Sequence, residues 1–249
     1  MNSLSIDINC DMGEELHNEA FLMPFISSAN IACGFHAGNK DTIKKTIELA
    51  QINNVAIGIH PSYDDKEHFG RVSQYLNVLD LAELIADQYY LFEKIAFEMG
   101  AKIHHVKLHG ALYNDCAKDP SLSKTFIQTI HAINPLVYIY GLSGSFTIQE
   151  AIHIGQPFAR EAFADRTYQD NGQLTPRHLE HAMIQNANEV IVQVLKLIKE
   201  NQVISLQGNA IQVKAETICI HGDGPNAIEF AETIYNHLRS HNIEIKTHA

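Results

Sequence analysis

Histidines that end apolar, β-branched runs are the residues of this chain best placed to do chemistry. Each is followed at once by a small residue or proline: His36 in NIACGFHAG, His60 in VAIGIHP, His109 in HVKLHG and His221 in TICIHG. The carboxyl ends of parallel barrel strands face one mouth, so the repeated pattern predicts a shared pocket. Imidazole changes charge near neutral pH, which suits acid–base chemistry.

Other ionisable residues lie at or near the ends of these and further apolar runs, and burying them costs free energy that a function would explain. They are Asp11, Lys107, Glu161, Asp165, Arg166 and Asp223. Lys107 precedes His109 by two residues, so both side chains lie on one side of a strand. If that side is the barrel interior, Lys107 needs a carboxylate from Asp11, Glu161 or Asp165.

Two arginines could bind an anionic ligand. Asp165 and Arg166 resemble an acid-plus-guanidinium clamp for a carboxylate, and a loop salt bridge is the equally good alternative. Arg71, in the long loop after the third run, could serve the same purpose or lie solvated on the surface.

A metal site is a further alternative, because carboxylate and imidazole suit zinc or a harder divalent ion. Its ligands would be Asp11 with His36, His60, His109 or His221. The chain has no H-E-x-x-H pair on one helix, so such a site would have to be assembled from different strands. Spacing alone leaves metal binding open.

Composition excludes several classes of protein. The formal net charge of −11 argues against nucleic acid or an anionic membrane as partner. No apolar run approaches the roughly 20 residues that span a bilayer, and the N-terminus lacks signal-peptide features, so we expect a cytoplasmic protein. The glycine-rich turns fit neither a Walker A loop nor a G-x-S-x-G elbow. Cys10, Cys33, Cys116 and Cys219 are expected to be reduced core thiols.

Seven apolar runs of strand length alternate with helical patterns and predict one α/β domain over residues 1–249. We expect these strands to be apolar throughout, as in a parallel sheet covered on both faces. Their approximate bounds are Ser5 to Cys10, Ala29 to Cys33, Val55 to His60, Ile103 to Leu108, Leu136 to Tyr140, Phe158 to Phe163 and Thr217 to Ile220.

Four local features complete the expected layout. Thr175-Pro176 is predicted to begin a helix that continues beyond Val190, and Pro225 to begin the last helix. The loop from Ser62 to Asp80 starts just after His60 and is expected to contact substrate or act as a lid. Residues 203–213 predict a hairpin with a type I′ turn at Gly208-Asn209, away from the site, as a barrel plug or contact surface.

Six linked motifs span nearly the whole chain and resemble the LamB/YcsF family. In order they are NCDMGE, SSANIACGFHAG, IGIHPSY with FGR, HVKLHGALYN, EAFADRTY with LTPR, and TICIHGDGPNA. The resemblance implies an irregular seven-stranded (β/α) barrel similar to the glycoside hydrolase/deacetylase superfamily. It also implies a component of bacterial 5-oxoprolinase, which opens 5-oxoproline (pyroglutamate) to L-glutamate. The reaction uses ATP, with Mg²⁺ expected for the nucleotide, and two partner subunits, B and C.

Strand-end position and this resemblance together suggest roles. Asp11, His60 and His109 are expected to transfer protons, while Lys107 or Arg166 holds an anion. The substrate-binding set is completed by His36, Arg71, Glu161, Asp165, His221 and Asp223. Two other functions stay open: a stand-alone, metal-dependent amide or N-acetyl deacetylase of the same fold, and a non-catalytic subunit that delivers a lactam to its partners.

Overall fold

Parallel strands close into a barrel in the computed structural model, which describes residues 4–224 and 226–248. The strands are β1 (Ser5–Met12), β2 (Ser28–Ala32), β3 (Ala56–His60), β4 (Ile103–Val106), β5 (Tyr138–Leu142), β6 (Phe158–Phe163), β7 (Gln202–Ile204), β8 (Ala210–Gln212), β9 (Thr217–Ile220) and β10 (Glu244–Ile245). Neighbours pair in sequence order from β1 to β6, and β9 closes the ring by pairing with both β6 and β1. The predicted irregular seven-stranded barrel is confirmed.

Helices connect the strands, and several begin at a side-chain cap. They are α1 (Glu19–Leu22), α2 (Lys40–Ile52), α3 (Val78–Glu98), α4 (Gly110–Lys118), α5 (Pro120–Ile133), α6 (Phe146–Ile154), α7 (Ala187–Glu200) and α8 (Ala227–Ser240). The side chains of Asn39, Asn77 and Asn186 each accept hydrogen bonds from two first-turn amides of α2, α3 and α7. A three-residue 3-10 turn, Met23–Phe25, follows α1. No helix in the described ranges is long and apolar enough to cross a membrane.

The barrel interior is polar, so the expectation that the strands are apolar throughout is wrong. Along β1, Asp7, Asn9 and Asp11 alternate with apolar residues, and successive strand side chains point to opposite faces. Asp7 accepts hydrogen bonds from two serines and Thr217, and Asn9 accepts one from Asn30. These side chains remain buried because polar partners from other strands satisfy them. The four cysteines are buried and unpaired, as expected.

The segment after β6 differs from the prediction. No helix begins at Thr175-Pro176; α7 begins at Ala187, capped by Asn186. Arg166 explains the difference, because its guanidinium donates hydrogen bonds to the carbonyls of Thr175 and Ala182. The chain there follows the arginine side chain in an irregular path.

The predicted hairpin is present as β7 and β8, but its turn is different. The loop runs over residues 205–209, with the Gly208 amide donating to the Ser205 carbonyl at 2.9 Å. Gly208 alone has a positive φ, of 86°, whereas a type I′ turn needs two such residues. Among the described residues the hairpin strands pair with each other and with no barrel strand, and Ser205 Oγ donates to Asp170 in the segment after β6. The two expected roles of the hairpin, barrel plug or contact surface, stay predictions. The predicted helix start at Pro225 lies outside the described residues.

The long loop after β3 contacts the strand ends, and its expected role as a substrate contact or lid stays a prediction. It runs from Pro61 to the α3 cap Asn77, so α3 begins slightly earlier than predicted. Phe69 lies edge-on to His36 and His109, with ring centroids 5.5 and 5.4 Å apart. The loop therefore forms part of the barrel mouth.

Gly58 in β3 is required by close packing inside the barrel. A Cβ atom there would lie 2.1 Å from His105 Nε2. His105 cannot move easily, because it stacks on Tyr140 with centroids 4.0 Å apart and contacts Asn30 Oδ1 at 2.7 Å. We expect Gly58→Ala to lower the free energy of unfolding by roughly 1–3 kcal/mol, the usual cost of overpacking a core.

Urea unfolding of four proteins tests this: wild type, Gly58→Ala, His105→Ala and the double variant. Removing the His105 ring removes the clash, so the double variant should lose less than the sum of the single losses. Additive losses would show that the clash is absent.

Candidate active site at the barrel mouth

A cavity of about 460 Å³ opens at the carboxyl ends of the strands, a size typical of small-molecule sites. Most of the ionisable residues predicted from sequence line it. Its polar lining includes Asp11, Glu14, Arg71, Lys107, His109, Tyr113, Arg166, Arg177, His221 and Asp223. His36 and His60 are buried behind the cavity lining. Glu161 is buried beneath the cavity, where it contacts Lys107.

Lys107 forms the floor of the site between two carboxylates. Its Nζ lies 2.9 Å from Asp11 Oδ1 and 2.8 Å from Glu161 Oε1, so two of the three expected acids neutralise it. Burial lowers the pKa of Lys107, but these acids outweigh it and hold the pKa well above its ordinary value. Burial likewise opposes ionisation of Asp11, yet His60 and Lys107 keep the Asp11 pKa well below its usual range. The floor is therefore a charged ion-pair network.

An imidazole–carboxylate cluster forms one wall above this floor. His60 Nε2 lies 3.0 Å from His109 Nδ1 and 3.4 Å from Asp11 Oδ2. Glu14 Oε1 lies 3.3 Å from His109 Nδ1. Burial, followed by the charges of Asp11 and Asp223, raises the pKa of Glu14 well above its ordinary value. Burial and the neighbouring histidines lower the pKa of His109.

His36 supports this wall from behind. Its ring stacks on His109 with centroids 3.8 Å apart and planes 4° apart, and its Nε2 lies 3.2 Å from Glu14 Oε1. Burial and the neighbouring His60 lower its pKa to about 3, so the ring is neutral at physiological pH. His36 is thus positioned to orient Glu14.

The opposite wall carries a buried cation, Arg166. Its Nη2 donates to the Thr175 carbonyl at 2.6 Å, and among the described residues no carboxylate lies within ion-pair distance of it. Burial and the charge of Arg177 lower its pKa to about 10. Asp165 points elsewhere and contacts His221 Nδ1 at 2.8 Å, so the expected Asp165–Arg166 clamp is not formed.

Charged residues also form the rim. Asp223 contacts both Arg71 and Arg177, with 3.3 Å from its Oδ2 to Arg177 Nη1. Burial opposes ionisation of Asp223, but Arg177 and Arg71 outweigh it and lower its pKa. One carboxylate therefore faces two guanidinium groups at the entrance.

Sequence reasoning missed Glu14 and Arg177. Glu14 follows Asp11 by three residues, and Gly13, with a φ of 73°, turns the chain so that Asp11 reaches His60 and Glu14 reaches His109. Glu14 could have been identified from the motif NCDMGE, because it directly follows a turn glycine and comes three residues after a strand-end acid. Arg177 lies in the irregular segment after β6, and the LTPR motif that it ends did not indicate a role at the cavity.

Two groups of side chains could hold a metal, each with its donor atoms within 4.8 Å of one another. One comprises Glu14, His36, His60 and His109; the other comprises Asp11, Cys219 and His221. The structure thus divides the histidines that the sequence assigned to a single set. In the second group Lys107 Nζ already lies 3.1 Å from Cys219 Sγ, and burial raises the pKa of that thiol, which disfavours the thiolate that a metal needs.

A closed parallel barrel with a polar cavity at its strand ends defines the class: a (β/α)-barrel protein with a small-molecule site. The LamB/YcsF family model matches residues 6–249, so the chain belongs to that family.

Known relatives agree with this placement. The chain is 41% identical over 247 residues to the A subunit of 5-oxoprolinase from Bacillus cereus strain 03BB102, covering 97% of this chain and 98% of the relative. The corresponding protein of Bordetella parapertussis is equally similar over the same shares. The crystal structure of a lactam utilization protein from Thermus thermophilus superposes with a TM-score of 0.93 at 31% identity, covering 98% of this chain and 100% of that one. A family 4 carbohydrate esterase from Streptomyces lividans shares the fold alone, with a TM-score of 0.54 at 9% identity over 100% and 94% of the two chains.

Removing the Lys107 ammonium from the ion-pair floor is expected to lower the stability of the protein. Lys107→Met leaves Asp11 and Glu161 buried without a cation, and we expect the free energy of unfolding to fall by about 3–5 kcal/mol near neutral pH. The deficit should shrink from about pH 8 to about pH 5. The wild type draws stability from an ionised Asp11 with a lowered pKa, whereas in the variant both acids can relieve their repulsion by protonation.

Urea unfolding across this pH range measures the effect. Lys44→Met is the matched control, because Lys44 pairs with Glu98 at 3.3 Å on the surface with both side chains 47% exposed. Such a pair contributes about 0–1 kcal/mol. Equal losses in the two variants would contradict the assigned role of Lys107.

Proposed function

We propose that this chain is the A component of an ATP-dependent 5-oxoprolinase, acting with partner subunits B and C. The family and the names of its relatives support the substrate. The observation that carries the assignment is one cavity with a buried arginine on one wall and an imidazole–carboxylate cluster on the other. Such a cavity can bind the carboxylate of 5-oxoproline and act on its lactam carbonyl at the same time.

Arg166 is the proposed partner of the substrate carboxylate. It lines the cavity, is buried and lacks an acidic partner among the described side chains. Its planar fork is suited to bidentate recognition of a carboxylate. Lys107 does not fit this role, because two carboxylates already neutralise it.

The cluster of Asp11, Glu14, His60 and His109 supplies the proposed acid–base wall. A five-membered lactam is an amide with a poor leaving nitrogen, so opening it requires an activated carbonyl, a deprotonated water and a proton for the nitrogen. Water adds its oxygen to the ring carbonyl carbon, the carbon–nitrogen bond breaks, and the nitrogen receives a proton to give glutamate. His36, His221, Asp165 and Asp223 orient these groups through the contacts described above.

ATP is assigned to the partner subunits, because the chain shows no credible phosphate loop. In the proposed reaction the partners activate the lactam with ATP and Mg²⁺, and the barrel completes ring opening. Since this reaction consumes ATP, we expect the complex to work in the cytoplasm.

Reconstitution with each component omitted in turn tests this function. ATP-dependent release of glutamate from 5-oxoproline is expected only when this chain and both partners are present. Full activity without this chain would overturn the proposal. Binding of 5-oxoproline without turnover, while a known A component works with the same partners, would instead indicate a delivery role.

His109 provides a sharper test of the cavity. We expect His109→Asn to abolish glutamate release by the reconstituted complex while the circular dichroism spectrum stays unchanged. His153→Asn is the control, since His153 is exposed on α6, and it should retain full activity. Wild-type turnover by His109→Asn would remove the imidazole wall from the mechanism.

Arg166 should affect substrate binding above all. Arg166→Gln is expected to raise the KM for 5-oxoproline by roughly 10- to 100-fold, as for loss of a hydrogen-bonded charge, with a smaller change in kcat. Arg160→Gln is the control, because Arg160 lies on β6 outside the cavity lining and pairs with Glu216 at 2.8 Å. An unchanged KM for Arg166→Gln would place the substrate carboxylate elsewhere.

A further inference from the structure

We propose that His60 and His109 hold a divalent metal ion between their facing nitrogens, with the carboxylates of Glu14 and Asp11 completing the site. This proposal concerns what the cluster binds and not which substrate enters the cavity, but it gives His60 and His109 the role of metal ligands in place of the proton transfer assigned to them above.

Hydrogen bonds to the backbone fix the tautomers of both imidazoles. His60 Nδ1 lies 2.8 Å from the Lys107 carbonyl, and His109 Nε2 lies 3.0 Å from the Phe69 carbonyl. A carbonyl oxygen only accepts, so each of these outward nitrogens carries the proton. The nitrogens that remain, His60 Nε2 and His109 Nδ1, face each other, and each presents a lone pair whenever its ring is not doubly protonated.

These two lone pairs face each other at 3.0 Å, which is unfavourable unless something positive lies between them. A metal ion meets this need, and backbone carbonyls that orient metal-binding histidines from behind are usual partners in such sites. The two rings cross at 83°, so both lone pairs can converge on one point.

The carboxylates stand at suitable distances. Four ligands about 2.1 Å from a tetrahedral ion lie about 3.4 Å from one another. Glu14 Oε1 is 3.3 Å from His109 Nδ1, and Asp11 Oδ2 is 3.4 Å from His60 Nε2. Asp11 Oδ1 is held by Lys107 and Asn30, which leaves Oδ2 to face the histidine.

His36 is excluded as a ligand by its stacking. Its ring lies parallel to that of His109 at 3.8 Å, so the in-plane lone pairs of the two rings cannot converge on an ion about 2.1 Å from each nitrogen. Its Nε2 instead lies 3.2 Å from Glu14 Oε1. His36 is a positioning residue for the Glu14 carboxylate.

The site combines two imidazoles with two carboxylates, a donor set that suits Zn²⁺, Co²⁺ or Mn²⁺. Asp11, Glu14 and His109 all line the cavity, so an ion can enter and a substrate oxygen or water can reach it. A bound ion would polarise that oxygen, and His60 and His109 would then hold the ion instead of moving the proton themselves.

Metal stoichiometry of the untagged full chain tests the proposal without any activity assay. After chelator treatment and removal of the chelator, the protein is loaded with Co²⁺ or Zn²⁺, and bound metal is counted by mass spectrometry. We expect about one ion per chain, visible absorption from the Co²⁺ form, and a melting temperature several degrees above that of the metal-free protein.

Matched variants distinguish the site from surface binding. Glu14→Gln and His60→Gln should lose the bound ion and the Co²⁺ absorption. His153→Gln should keep both, and His36→Gln should keep the ion with an affinity reduced by roughly 10- to 100-fold, as for a positioning residue.

Two results would overturn the proposal. One is a wild-type chain that takes up no ion and gains no thermal stability. The other is equal metal binding by the wild type, Glu14→Gln and His60→Gln, which would show adventitious binding. If the wild-type chain binds the ion but the reconstituted complex releases no glutamate, the result counts against the proposed function alone.

Discussion

The buried ammonium of Lys107 is the constraint on which the rest of the site depends. It joins three strands, because Asp11 lies near the end of β1, Glu161 belongs to β6 and Lys107 follows β4. Removing an ammonium from water is costly unless carboxylates surround it, so the barrel must bring these residues together as it closes. The pair also fixes one Asp11 oxygen and turns the other toward His60. The ion pair of Lys107 with Asp11 therefore fixes the position of the acid–base wall at the mouth.

Polar contacts continue through the barrel below this floor. Asn9 and Asn30 connect Asp11 to the level of His105, and Asp7 gathers serine and threonine hydroxyls beneath them. Parallel barrels usually fill this space with branched apolar side chains. Here a hydrogen-bonded interior takes their place, and each member restricts the orientation of the next. Such a rigid interior suits a site whose groups must stay within tenths of an ångström of one another.

Much of this arrangement is predictable from the sequence. The seven runs and the ionisable residues that follow them locate the strands and the mouth, because strand ends are readable from β-branched runs followed by glycine or proline. The position of Lys107 on its strand also predicts that it needs a carboxylate, and two of the three candidate acids supply one. The orientation of the histidine rings is not predictable in this way. His60 Nε2 and His109 Nδ1 face each other because the opposite nitrogen of each ring is bonded to a backbone carbonyl, of Lys107 and Phe69 respectively. No side-chain pattern encodes these contacts.

The irregular segments account for the remaining differences. Arg166 draws the chain around its guanidinium, so the helical pattern after Thr175 is overridden by tertiary contacts, and Arg177 reaches the rim from a segment without periodicity. Glu14 reaches the cluster through the left-handed turn at Gly13. In each case a long-range contact or a backbone turn, and not local propensity, decides the position.

In the proposed function one cavity binds the substrate carboxylate on one wall and presents the lactam carbonyl to the other. A crystal structure of this chain with 5-oxoproline would show both contacts. We expect the carboxylate on Arg166 and the ring carbonyl facing Glu14, His60 and His109. A ligand bound outside this cavity, or bound with its carboxylate against the histidine wall, would contradict the proposal.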